Sequence, residues 1–222
     1  MSYAIRSNLF ATSPSRRGSR LALVSAVIAI TCAGTGVASS QTQEALTLAQ
    51  RQSVQASISA AIAAVNTQTL NATSRDAAFF EALRAVAQAL AGQGGASIAF
   101  VATSAIAGGV APGTAIHASF LGAVSGGAAP DSLCAAIITA ALNAGVNAGA
   151  IGGGIGLAAS AIENIDPTKA RAVAACVARS GTGAIRHAFV AGIVQAGGSR
   201  SLATIAGAAD IGHKSQTEWN NE

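Results

Sequence analysis

Two cysteines, Cys134 and Cys176, are the residues of this 222-residue chain whose type and number point most directly to chemistry. A third, Cys32, follows an apolar run near the N-terminus. In an oxidising compartment an even pair of cysteines favours a disulfide. The alternative is a pair of buried thiols that act as small apolar side chains. Because sequence separation does not give spatial separation, both interpretations stay open at this stage.

Histidines and carboxylates could bind a metal or transfer protons. His117 and His187 take the same position in a repeating block described below, but no carboxylate or cysteine shares that register. A metal site needs more ligands than two histidines, so we interpret both as structural. Asp131 and Asp166 stand where helices are predicted to begin, at the positive end of the helix dipole. With Glu163 they are interpreted as helix-terminal charges, and no metal site is predicted.

Other motifs are weaker. Gly154, Gly156 and Ala159 have the spacing of a dinucleotide fingerprint, but no apolar strand precedes them, so close helix packing is the preferred explanation. Ser180 lies beside two glycines and is interpreted as part of a turn. The chain contains no HExxH, paired CxxC, EF-hand loop, Walker A or GxSxG motif. We therefore predict a protein that is not an enzyme, with no catalytic residues and no cofactor.

The N-terminus has the three-part layout of a secretory signal over residues 1–40. Its first twenty residues carry only positive charge, and the apolar run Leu21 to Ile30 is too short to span a bilayer. Small residues follow, with cleavage predicted after Ser39 or Ser40; an uncleaved anchor is the alternative. Lipid attachment at Cys32 is disfavoured because Thr31 is bulkier than the residue expected before such a cysteine.

The charge balance argues against a nucleic-acid partner. The chain has 13 Lys and Arg against nine Asp and Glu. Four of the basic residues, and none of the acidic ones, precede the apolar run, so nine of each remain and the mature part is formally neutral. Nucleic-acid binding needs a basic face, which is missing. Charged residues are only 10% of the chain and aromatic residues 4%, so its 51% hydrophobic content is mainly small side chains that must pack closely.

Residues 41–95 are predicted to form a pair of amphipathic helices. The first, over residues 42–66, has an apolar stripe at spacings of four, four and three: Val54, Ile58, Ile62 and Val65. Thr73 and Asp76 have the form of a capping box for the second helix. Its stripe follows, and a glycine-rich stretch ends it: Phe79, Leu83, Val86 and Leu90, then Gly92, Gly94 and Gly95.

Residues 96–212 carry a repeat of about 18 residues, as in ASIAFVATSAIAGGVAPG and TAIHASFLGAVSGGAAPD. Pro112, Pro130 and Pro167 fall at or within one residue of one phase of the repeat, where each would interrupt a continuous helix. We predict helices of about 10 to 13 residues, with Asp131 and Asp166 among the N-caps. The expected fold is all-α, with short helices stacked as antiparallel hairpins in an α-solenoid or a compact helical bundle. The polar tail 213–222 contains Trp219.

The long uncharged stretches raise the question of membrane association. Gly145, Gly149 and Gly153 lie four residues apart, a glycine-zipper spacing that predicts close helix packing. Short helices of small residues without an aromatic belt do not favour insertion. We expect an exported, noncatalytic structural or interaction protein of the periplasm, cell envelope, cell surface or extracellular space, whose partner is itself or another envelope protein. A membrane-associated glycine-zipper anchor or pore is the alternative, and an exported enzyme is a third.

Overall fold

The computed structural model describes residues 46–207. The predicted signal, residues 1–40, and the predicted tail, residues 213–222 with Trp219, lie outside the described residues. Within residues 46–207 the chain forms nine α-helices, one 3-10 helix and no β-strand. The predicted all-α fold class is therefore confirmed.

The helices follow one another through short connections. They are α1 (Leu48–Asn66), α2 (Ala72–Ala89), α3 (Gly95–Ala107), α4 (Pro112–Ser125), α5 (Pro130–Asn143), α6 (Ala148–Glu163), α7 (Pro167–Ser180), α8 (Gly183–Gln195) and α9 (Arg200–Ile205), with the 3-10 helix Ala91–Gln93 between α2 and α3. The two longest are α1 and α2, with 19 and 18 residues, as predicted for the N-terminal pair. Their predicted apolar stripes are buried, except that Ile62 is half-buried.

The prolines begin helices, as the repeat predicts. Pro112, Pro130 and Pro167 are the first residues of α4, α5 and α7, where the missing amide hydrogen breaks no helical hydrogen bond. Helices α3 to α9 begin 17, 18, 18, 19, 16 and 17 residues apart, from Gly95 through Arg200. Helices α3 and α8 have 13 residues, within the predicted length, whereas α4 to α7 have 14 to 16; in α4, α5 and α7 the proline belongs to the helix and not to the connection.

Five helices, α3, α4, α5, α8 and α9, end in the same way. The second residue beyond each is a glycine with φ between 70° and 96°: Gly109, Gly127, Gly145, Gly197 and Gly207. After α3, the amide of Val110 donates to the carbonyl oxygen of Ala105 at 3.1 Å, and Ala128 and Ala123 repeat the bond after α4 at 2.9 Å. This is the Schellman termination, in which only glycine adopts the left-handed conformation without strain.

The helices are arranged in two layers. The most extensive contacts join helices two apart in sequence: α2 with α4, α4 with α6 and α6 with α8 in one layer, and α3 with α5 and α5 with α7 in the other. Contacts such as α3 with α4 and α6 with α7 hold the layers together. Each unit therefore buries its apolar face against the next unit, as the predicted stacking requires.

Glycines allow the even-numbered helices to touch backbone to backbone. A Cβ on Gly122 of α4 would overlap the carbonyl oxygen of Arg84 in α2, and one on Gly126 would lie 2.5 Å from the carbonyl oxygen of Gln88. Between α6 and α8, a Cβ on Gly152 would overlap the carbonyl oxygen of Ile185, and one on Gly156 that of Phe189. Each pair of contacts advances by four residues on both helices, so the partner helices run parallel. We call these positions the glycine ladder: Gly122, Gly126, Gly152 and Gly156.

The glycines that the sequence predicted to pack helices, Gly145, Gly149 and Gly153, do not belong to the glycine ladder. Gly145 is the positive-φ residue of the turn after α5, and a Cβ there would meet nothing within 4 Å. At Gly149 the nearest group is the side chain of Asn147, which caps the same helix. Of the three, only Gly153 lies at a helix contact, because a Cβ on Gly192 of α8 would be 2.5 Å from its carbonyl oxygen.

Helix starts depart from two of the predictions. Helix α1 begins at Leu48 and not at residue 42, and residues 42–45 lie outside the described residues. Its N-terminus has a capping box formed by Thr47 and Gln50. Asp131 is in the first turn of α5 and is not its N-cap, because Pro130 is already helical and Ala129 takes the cap position. Asp166 does cap α7, accepting hydrogen bonds from the amides of Thr168 and Lys169.

The N-terminus of α2 also differs from the prediction. The N-cap of α2 is Asn71, whose side chain accepts a hydrogen bond from the amide of Ser74 at 2.8 Å, whereas Thr73 lies inside the helix. We expect Asn71→Ala to lower the free energy of unfolding by about 1 kcal/mol, since it removes the cap. Thr73→Ala, a matched change two residues away, should alter it by less than about 0.5 kcal/mol. Urea unfolding would contradict this assignment if the Thr73 variant were the less stable.

Candidate functional site

A groove of about 400 Å³ lies where α1 passes α3 and α5. Alanines of α3 and α5 line its floor: Ala96, Ala99, Ala136 and Ala140. Leu46 and Arg51, near the start of the described residues, also line this groove. Phe100 and Arg51 line a second groove of about 450 Å³ along α1 as well. Alanine recurs at these positions because short side chains let α3 and α5 approach closely. The same short side chains leave the groove open above them.

The polar groups of the groove are suited to binding. Arg51 is exposed and can donate several hydrogen bonds to a carboxylate. Thr139 and Asn143 of α5 are exposed as well. The hydroxyl of Thr103 donates to the carbonyl oxygen of Ala99 at 3.0 Å, so it can still accept a hydrogen bond. Among the groove residues that the structure describes there is no Asp, Glu, His or Cys. These residues suit an apolar ligand segment that carries a negative charge, and they do not form a nucleophile and base pair.

His117 of α4 is the titratable side chain whose surroundings are most unusual. Its ring lies against that of Phe80 of α2, with the centroids 4.6 Å apart and the planes 57° apart. Its Nε2 atom is buried and has no hydrogen-bond partner among the described residues. Burial lowers the pKa of His117 from 6.5 to about 4, because the charged form loses its hydration. His187, the other histidine of the predicted pair, is exposed on α8.

The carboxylates noted in the sequence occupy structural positions. Asp131 forms an ion pair with Arg179 at 3.0 Å, which links α5 to α7. Asp166 caps α7 and lies 3.9 Å from Lys169. Glu163, at the end of α6, accepts hydrogen bonds from the amide and hydroxyl groups of Ser199. These three carboxylates therefore bind helix termini or basic side chains.

The two cysteines of the described residues lie together. Cys134 of α5 and Cys176 of α7 are placed as a disulfide, with their Cα atoms 6.3 Å apart. Both are buried, at 0% and 1% exposure. The bond crosses the same pair of helices as the Asp131–Arg179 ion pair, so two successive units of one layer are joined twice. The predicted pairing fits the geometry.

The remaining motifs belong to the packing of the stack. Gly154, Gly156 and Ala159 all lie inside α6 with no preceding strand, so they form no dinucleotide-binding turn. Ser180 is the last residue of α7. In the described part of the chain, no three His, Cys, Asp or Glu side chains are grouped so that they could hold a metal ion. None of the helices from residue 46 to 207 is long and apolar enough to cross a membrane.

The sequence alone did not reveal the groove. Arg51 is 45 residues or more from every groove residue of α3 and α5, and nothing in its neighbourhood distinguishes it from an ordinary exposed arginine. Phe100 was the available signal, since it is one of six phenylalanines in a chain poor in aromatic residues. Comparison of the chain with protein-family models, with curated proteins and with solved structures finds no match.

Proposed function

We propose that this chain is an exported, noncatalytic structural or interaction protein of the cell envelope or extracellular space. Its stacked helices would bind another envelope protein or a second copy of the chain. The observation that carries the proposal is the placement of Cys134 and Cys176 at disulfide distance. Disulfides persist in oxidising compartments and are rare where cellular reductants keep thiols reduced. The bond therefore supports the same destination as the signal-like residues 1–40.

The groove supports the interaction part of the proposal. Its alanine floor lets another backbone approach closely, while Phe100 and Arg51 offer apolar contact and a charge. Most of its lining side chains are short, so binding a partner would cost this protein little side-chain entropy. Such a surface can hold a protein segment without any covalent step.

The proposal is tested by the mass and location of the chain in the cell that makes it. We expect the chain in the fraction outside the cytoplasmic membrane, beginning at Ser40 or Gln41. Its mass should be two hydrogens below that of the reduced form. Intact-mass spectrometry of each fraction, before and after reduction and thiol alkylation, measures both.

The control is a variant with Arg6, Arg16, Arg17 and Arg20 replaced by glutamate, which reverses the charge of the predicted signal. It should keep the chain inside the cell with free thiols. An unprocessed wild-type chain found in the cytoplasm with two alkylatable thiols in its mature part would contradict the proposal.

A further inference from the structure

We infer that His117 makes the contact between α2 and α4 sensitive to pH, so that acidification releases the N-terminal helix pair from the repeat stack. This inference does not depend on the proposed function. The imidazole lies between the two helices, against the ring of Phe80. Its buried Nε2 atom accepts no hydrogen bond from any described group. A proton bound there would create a charge inside an apolar contact with nothing to stabilise it.

Among the described residues no charged group forms a hydrogen bond or ion pair with His117, and Asp76, one turn before Phe80 on α2, is exposed to water. Helix α4 itself and α3 contain no Asp, Glu, Lys or Arg. The charged residues of the other helices that contact α4 are Arg75, Asp76, Glu81 and Arg84 on α2, Asp131 on α5 and Glu163 on α6. Glu81 is already paired with Arg84 at 2.8 Å, Asp131 with Arg179, and Glu163 accepts hydrogen bonds from Ser199. Burial is accordingly the cause that lowers the pKa of His117.

The direction of the pH effect follows from the pKa of His117 in the open and closed states of the α2–α4 contact. In the open state the imidazole is hydrated and has its ordinary pKa of 6.5, whereas in the closed state its pKa is about 4. Between these values the open state binds the proton and the closed state does not. The contact therefore weakens as the pH falls from 6.5 to 4 and changes no further below that. The opening constant should rise on the order of 100-fold across this range.

Opening of the α2–α4 contact also affects the groove. Helix α2 contacts α4 in one layer and α1 in the other, and α1 supplies Arg51 to the groove. Breaking the α2–α4 contact removes the most extensive contact that holds this helix pair on the stack and leaves only the smaller contacts of α1 and α2 with α3 and the 3-10 helix. Acid would then open the groove along the wall formed by α1.

Hydrogen exchange of the purified protein tests the inference. Amide exchange measured by mass spectrometry at pH 7, 5.5 and 4, corrected for the intrinsic pH dependence, should show α2 exchanging 10- to 100-fold faster at pH 4 than at pH 7. Helices α6 and α8 should change much less. In His117→Phe, which keeps an aromatic ring and cannot titrate, the acceleration should disappear. His187→Phe, at the exposed histidine, should keep it.

Direct titration of the wild-type histidines by NMR supplies a readout that needs no variant. The His117 imidazole of the closed state should titrate well below pH 6, and the change in α2 exchange should develop between pH 6.5 and that titration. Two results would overturn the inference: wild-type α2 exchange that responds to pH no more than α6 does, or an acid response that survives in His117→Phe. An ordinary titration of His117 near pH 6.5 would overturn it as well.

Discussion

Replacing Gly152 or Gly156 by alanine is expected to lower the free energy of unfolding by about 1–2 kcal/mol. A Cβ at either position would overlap a backbone carbonyl oxygen of α8, and a carbonyl inside a helix cannot move away without breaking its own hydrogen bond. Overpacking of this kind costs about 1–3 kcal/mol and occasionally more. Alanine returns up to about 1 kcal/mol through its helix propensity, so the contact decides the sign. Urea unfolding followed by circular dichroism measures the change.

Gly153 is the matched control within the same helix. A Cβ on Gly153 would lie 4.0 Å from the carbonyl oxygen of Ala188, which is ordinary contact. Gly153→Ala should therefore leave stability unchanged or raise it by up to about 1 kcal/mol. If all three alanine variants were equally stable, α6 and α8 could not be packed backbone to backbone at the glycine ladder.

Breaking the Cys134–Cys176 disulfide is expected to lower the free energy of unfolding by about 4 kcal/mol. The cysteines are 42 residues apart, and a cross-link of that span restricts the unfolded chain by about this amount in the loop-entropy account. Unfolding of the wild type with and without a reductant measures the effect and leaves both side chains in place. It therefore separates the bond from the packing of the sulfur atoms.

A double variant, Cys134→Ala with Cys176→Ala, checks the same contribution independently. Its stability should be close to that of the reduced wild type, lowered a little further by the small cavity left at two buried sites. Adding reductant should not change it. Equal stability of oxidised and reduced wild type would show that the two cysteines are not bonded to each other.

The prolines and the 18-residue period were enough to predict the helical stack. Proline cannot lie inside a helix without losing a hydrogen bond, so its recurrence beside glycines marks the places where one helix ends and the next begins. The boundaries were harder. Asn71, and not Thr73, caps α2, and Ala129, and not Asp131, precedes α5. Asn71 and Thr73 are both residue types that favour the cap position, so residue type alone did not select between them, and Ala129 is a type that capping preferences do not indicate.

The sequence predicted a four-residue glycine spacing at helix contacts, and of the three glycines that it indicated only Gly153 lies at such a contact. Glycines four apart occur at Gly109 and Gly113, at Gly122 and Gly126, at Gly145, Gly149 and Gly153, and at Gly152 and Gly156. Glycine serves two purposes in this chain: it ends helices at positive φ, and it brings helix backbones together. Composition alone does not separate these uses. Which face of α6 meets α8 depends on contacts between helices about 35 residues apart.

For the site residues too, the neighbours in space could not be predicted from the sequence. Pairing of Cys134 with Cys176 could be anticipated from their number, although their separation could not. His117 and His187 share a repeat position, yet one is half-buried against Phe80 and the other is exposed. Helix α2 places the ring of Phe80 beside His117, whereas α6, which contacts α8 as α2 contacts α4, contains no aromatic residue to cover His187. Equal positions in a repeat become unequal wherever their neighbours differ.

The most direct test of the two-layer stack is a set of nuclear Overhauser contacts between glycine α-protons. The account predicts contacts from Gly153 to Gly192 and from Gly156 to the backbone of Phe189 and Gly192, because α6 and α8 touch there. Contacts of these α6 glycines with α7 alone, or an α6 that continues through Pro167 as one long helix, would contradict it.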